Sequence, residues 1–154
     1  VRSIKNGTNY PIGWKDWVSE ESAGALPGVK EFLSYANAKG IKIFYVTNRT
    51  HDLEEYTRNN IKALGLPLDE DIDVLLMKNE KGWTSDKTSR RDLIRNDFRV
   101  IQVFGDQLDD FISLTETAKS INERKILINK YANMWGEKWY MLINPMYGVG
   151  RSYL

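Results

Sequence analysis

The chain has 154 residues, of which 42% are hydrophobic and 28% charged, with a formal net charge of +1 and no cysteine. Length and apolar content predict a single globular domain, residues 1–154, large enough for a real core. A near-neutral balance without a basic run argues against a nucleic acid polymer as partner while leaving a single nucleotide open. The lack of cysteine excludes a disulfide frame and thiolate metal chemistry. No apolar stretch is long enough to span a bilayer, and no signal-peptide pattern is present.

In chain order, residues 27–39 place Val29, Phe32, Leu33 and Ala36 on one face and predict a helix, with Pro27 in its first turn and Gly40 as its stop. Residues 41–47 are apolar and β-branched or aromatic, and predict a strand. Residues 52–64, with Leu53, Tyr56, Ile61 and Leu64 in helical period, predict a second helix closed by Gly65. Strand 74–77, helix 88–96 and strand 99–104 follow. Residues 108–135 predict a long helix broken near Ser120-Ile121-Asn122, and 139–143 a last strand. Such alternation implies an α/β fold: a mainly parallel sheet with helices on both faces.

The stretch Gly105-Asp106-Gln107-Leu108-Asp109-Asp110-Phe111 carries the most chemistry. It follows the apolar run Val100 to Phe104, which reads as a buried strand, with Gly105 expected to let the chain turn sharply. Carboxylates just past such a strand lie at the carboxyl edge, where open α/β sheets place ligands. Asp106 and Asp110 can then face one hard cation, which takes oxygen ligands, with Asp109 pointing aside. The competing reading is that both acids only cap a helix N-terminus.

Thr47, Asn48 and Arg49 end the first strand with a hydroxyl, an amide and a guanidinium, a mix able to hold a phosphate. Equally, Thr47 could cap a turn, with Asn48 left-handed and Arg49 in solvent. Lys87, just before a helix, can neutralise a phosphate or a carboxylate, or simply be solvated. The lone His51, after the strand, could serve as an acid, although a lone loop histidine usually reads as surface.

These segments, with Tyr10 to Val18, Ala25 to Leu33 and Asn144 to Gly148, closely resemble the bacterial class C acid phosphatases of the haloacid dehalogenase (HAD) superfamily, which include lipoprotein acid phosphatases acting on nucleoside monophosphates. The resemblance implies a HAD-like Rossmannoid three-layer α/β/α fold, with residues 1–25 as a cap or entry segment. It implies that Thr47 hydrogen-bonds the transferred phosphoryl group beside Asn48 and Arg49, and that Lys87 offsets its charge. Asp106 and Asp110 would hold Mg²⁺ and its water shell. Trp14 and Tyr147 would stack on a nucleobase, although both also suit packing of irregular segments. The implied substrate is a small-molecule phosphate monoester and the implied location is extracytoplasmic, with any membrane contact through an upstream lipid anchor and a homo-oligomer left open.

Two departures accompany the resemblance. The family's first motif, a strand ending in Asp-x-Asp-x-Thr that supplies the nucleophile and the general acid and base, has no counterpart here. Asp71-Ile72-Asp73 stands before its apolar run and reads as a solvated loop. Phosphoryl transfer to an aspartate needs that carboxylate, so this chain alone is expected not to turn over. The natural protein is expected to extend upstream, with the first motif and an export signal. After Tyr147-Gly148, the family's usual acidic residue and tryptophan are also lacking. The rival expectation is a non-catalytic HAD-like module that binds a phosphate compound or a protein.

Overall fold

The computed structural model describes residues 11–117 and 120–143 and divides into two compact units, Val1–Gly82 and Trp83–Leu154.

In the first unit α1 (Trp14–Ser19) and α2 (Val29–Ala38) precede β1 (Tyr45–Thr50), a 3₁₀ turn at His51–Leu53, α3 (Glu54–Ala63) and β2 (Leu75–Lys78). The strands pair in parallel, Tyr45 opposite Leu75 and Thr47 opposite Met77, before the register slips to set Thr50 opposite Lys78. Val74 to Met77 are buried throughout, as suits a parallel strand covered on both faces. Ile61, Leu75 and Met77 form the core, with Tyr45, Leu66 and Leu68 packed around them. Both helices stop where the sequence predicts. Gly40 and Gly65 adopt positive φ, and the amides of Ile41 and Leu66 reach back to the carbonyls of Ala36 and Ile61, closing each end in the left-handed glycine cap.

The first strand runs later than its expected 41–47. β2 begins at Leu75, so residues before Tyr45 have no ladder partner, and β1 continues instead through Asn48 and Arg49 to Thr50.

The second unit comprises α4 (Thr88–Asp97), β3 (Val103–Gly105), a 3₁₀ turn at Leu108–Asp110, α5 (Leu114–Thr117), α6 (Ile121–Lys130) and β4 (Trp139–Met141). β3 and β4 are parallel, Val103 opposite Trp139 and Gly105 opposite Met141. Leu108, Phe111, Ile112 and Trp139 form the core. Phe111 meets Trp135 edge-on at 5.1 Å, and Trp135 meets Trp139 likewise at 5.2 Å, geometries favoured by the ring quadrupole.

Here two expectations change. The strand predicted over 99–104 is three residues long because its partner is equally short, and Val100, Ile101 and Phe104 are 37%, 39% and 43% exposed rather than buried. Phe104 stacks on Tyr140 at 4.9 Å. Among the described residues, the long helix expected over 108–135 is three pieces, the last of them ending at Lys130. The Leu108–Asp110 turn is closed by a capping box from Gln107 to Asp110. A second box, in which Ser120 accepts from the Glu123 amide and the Glu123 carboxylate accepts from the Ser120 amide, starts α6 afresh, as that residue pair at this spacing does.

Candidate active site

Each unit carries its own part of the predicted site. In the first, the hydroxyl of Thr47 accepts from the Arg49 amide at 3.1 Å, the local turn bond expected of threonine. Asn48 is exposed on β1 and is not left-handed. Arg49 is not in solvent. Its Nη1 donates to the buried Thr57 hydroxyl at 3.3 Å, and its guanidinium lies 5.9 Å from the Trp14 ring and 5.4 Å from the Trp17 ring. Those rings sit 5.1 Å apart, one helical step from each other on α1, forming a cation–π cluster. Thr47 and Arg49 also line a cleft of about 330 Å³ with Tyr45, Val29, Ile61 and Leu75. Burial raises the Tyr45 phenol to about 12, and its hydroxyl donates to the Pro67 carbonyl at 2.8 Å. The Ala23 backbone is gripped from both sides by the Asn60 amide, at 3.1 and 3.0 Å, which fastens the entry segment to α3.

In the second unit, Lys87 donates through its ammonium to Oδ1 of Asp110; their side chains are 14% and 9% exposed. Oδ2 of Asp110 accepts from the amides of Asp106 and Gln107, both at 2.9 Å. Asp110 therefore fulfils the capping reading and holds Lys87 at the same time. Gly105 adopts no left-handed φ. A Cβ there would lie 2.4 Å from that of Asp110, so the glycine makes room for the carboxylate and is not the source of a sharp turn. Burial pushes the Asp109 carboxyl above its usual range, with Asp110 adding to the rise. His51 is exposed and lies 3.0 Å from Glu54. Tyr147 lies outside the described residues.

Sequence reasoning missed the residues around Lys87. Burial works against the charge of Asp86, but donors from Thr88, Ser113 and Leu114 outweigh it and hold the carboxyl below its usual range. Arg90 and Arg91 are 0% and 7% exposed. A cue was legible: two cations near the start of a helix oppose the helix dipole, so tertiary partners had to hold them.

Asp106 and Asp110 lie on one short turn and carry the donor type Mg²⁺ takes, but both oxygens of Asp110 are already engaged, Oδ1 by the Lys87 ammonium and Oδ2 by the two amides. Mg²⁺ commonly uses one or two carboxylates, with waters and substrate phosphate completing the shell. Among the described residues no group of three or more acidic, histidine or cysteine side chains is placed to hold a metal.

The sequence matches the HAD superfamily, subfamily IIIB (acid phosphatase), over residues 2–150. The chain belongs to that family. Its fold is accordingly the α/β HAD-like fold, with both observed strand pairs parallel. It is similar to the class C acid phosphatase from Bacillus anthracis, with a TM-score of 0.85 and 33% identity over 96% of this chain and 60% of that one. The structure of that enzyme with tungstate bound matches by the same measures. Among curated proteins, the Stem 28 kDa and Stem 31 kDa glycoproteins of Glycine max are each 29% identical over 105 residues, covering 64% of this chain. The chain spans 40% and 35% of their lengths. No helix among the described residues is long and apolar enough to cross a membrane.

Proposed function

We propose that the protein is an acid phosphatase that hydrolyses phosphate monoesters, with nucleoside monophosphates as substrates and Mg²⁺ as cofactor. The observation that carries this reading is the Lys87–Asp110 pair beside Asp106 at the carboxyl end of β3, in a chain of the acid phosphatase subfamily. Lys87 offsets phosphoryl charge while Asp110 holds its ammonium in place. Asp106 and Asp110 would hold the magnesium ion, which when bound supplies charge neutralisation at a phosphoryl oxygen. Thr47, oriented by its bond from the Arg49 amide, presents a hydroxyl to the phosphoryl group. These roles are positioning and electrostatic, the main components of phosphoryl transfer catalysis. Tungstate, bound to the Bacillus anthracis enzyme, is a tetrahedral oxyanion like phosphate and supports an oxyanion as ligand. The family reading would give the nucleobase to Trp14 and Tyr147 and the phosphate to Asn48 and Arg49. An extracytoplasmic setting follows the same family reading.

The carboxylate nucleophile of this chemistry is not supplied by any Asp-x-Asp-x-Thr within these 154 residues. A second reading is a phosphate-binding or protein-binding module without turnover. Hydrolysis of p-nitrophenyl phosphate by the intact protein with Mg²⁺, and its loss in Lys87→Met, decides between them. Tight inorganic phosphate binding with no hydrolysis would favour the module.

A further inference from the structure

We propose that Arg91 is a positioning residue that fixes Lys87 against the Asp109–Asp110 turn, while Arg90 holds the segment before Lys87. The Nη1 of Arg91 donates to the carbonyls of Asp109 at 2.9 Å and Asp110 at 3.0 Å, and its Nη2 donates to the Thr88 hydroxyl at 3.0 Å. One guanidinium therefore grips the residue after Lys87 and the backbone of the residue that receives the Lys87 ammonium. The circuit closes from Lys87 to the Asp110 carboxylate, through the Asp110 carbonyl to Arg91, and back by Thr88 to Lys87.

Arg90 secures the other side. Its Nη2 donates to the Thr84 carbonyl at 3.0 Å and the Asp86 carbonyl at 3.4 Å. The Asp86 carboxylate in turn accepts from the Ser113 hydroxyl at 3.0 Å and the Leu114 amide at 3.2 Å, tying the stretch before Lys87 to the segment after the acidic turn. A lysine on four flexible methylenes needs such bracing at its backbone before its ammonium can be placed reproducibly. A planar fork suits three acceptors in different directions, whereas a lysine at position 91 would satisfy fewer of them. Burying a cation is costly without dedicated partners, and these partners all bear on the Lys87 setting.

The catalytic consequence rests on the reading of Lys87 as the phosphate-charge lysine. The structural one does not, so two readouts are paired in the intact protein. Labelling by an amine-reactive reagent, read by peptide mass spectrometry, follows Lys87 against the exposed Lys125. Arg91→Met should accelerate Lys87 labelling at least about tenfold, equivalent to about 1.4 kcal/mol, leaving Lys125 unchanged. With p-nitrophenyl phosphate and Mg²⁺, kcat should fall by a similar factor with KM moving less, and Arg91→Lys should recover part of both. Unchanged relative labelling of Lys87, or a lowered melting temperature with kcat per folded molecule intact, overturns the proposal. Should Arg91→Met fail to fold, Thr88→Val removes one of the three acceptors and must shift labelling the same way; no shift overturns it. A wild-type protein without hydrolytic activity would refute the phosphatase reading alone, and the labelling ratio would then decide the role of Arg91.

Discussion

A Cβ added to Gly105 would lie 2.4 Å from the Cβ of Asp110 and 2.5 Å from its Oδ2. That oxygen caps the turn through the amides of Asp106 and Gln107, so the last residue of β3 and the buried carboxylate occupy space that admits no side chain between them. Gly105→Ala should push Asp110 off its two amides and away from Lys87. The expected loss is ~1–3 kcal/mol of stability, the usual cost of overpacking, together with weaker Mg²⁺ binding by calorimetry. Wild-type stability and Mg²⁺ affinity in the variant would show that the turn yields without consequence.

Lys87 and Asp110 should be strongly coupled. Each is mostly buried, and breaking such a pair from one side strands a charge away from water. In a double-mutant cycle of Lys87→Met and Asp110→Asn, followed by denaturant unfolding, the double variant should be less destabilised than the sum of the singles by ~0.5–3 kcal/mol. Additive losses would mean that the contact contributes nothing beyond its separate halves.

Asp86 and Asp109 should respond oppositely to pH. The folded pKa of Asp86 is depressed, so its contribution is present above the unfolded value and lost as pH falls through the folded one. The folded pKa of Asp109 is raised, chiefly by burial, so its contribution is present below the unfolded value and lost as pH rises through the folded one. At pH 7, therefore, Asp86→Asn should destabilise and Asp109→Asn should stabilise. Both differences should shrink as pH drops below the ordinary aspartate value of about 3.9. Urea midpoints at the two pH values read this directly, and a destabilised Asp109→Asn at pH 7 would reverse the assignment.

Much of this was legible in the chain because the signals were local. The glycines at 40 and 65 closed their helices on schedule, and the apolar run ending at Met77 formed a buried strand. Strand extents were not local, since β1 and β3 reach only as far as β2 and β4 offer partners. The exposure of Ile101 and Phe104 likewise depends on what lies against them. At the candidate site, the acidic turn and Lys87 were visible as residue types at a strand exit and a helix start. The dual role of Asp110, cap and ion-pair partner, needed the fold, because capping and lysine binding use opposite oxygens of one carboxylate. Arg49 was open to a phosphate-holding role or to solvent, and it packs on Trp14 and Trp17, a contact across 35 and 32 residues of chain that no local pattern announces.

The tryptophan cluster bears on substrate choice. If Trp14 supports the base of a nucleoside monophosphate, Trp14→Ala should raise KM for that substrate through loss of a stack worth ~1–3 kcal/mol, with a smaller change for p-nitrophenyl phosphate. kcat should move less than KM, because stacking holds ground state and transition state alike. Equal losses for both substrates, with a lower melting temperature, would assign Trp14 to packing against Arg49 and Trp17.

The most direct test of the central claim, that the turn after β3 is the metal-binding edge of a phosphatase site, is the Mg²⁺ dependence of phosphate monoester hydrolysis in the intact protein and in Asp106→Asn. A neutral amide is a poorer ligand for a hard cation. The account predicts chelator-sensitive hydrolysis in the wild type, and loss of most of it in a variant that remains folded by circular dichroism and needs far more Mg²⁺. Chelator-resistant hydrolysis, or an Asp106→Asn variant with unchanged activity and Mg²⁺ response, would contradict it.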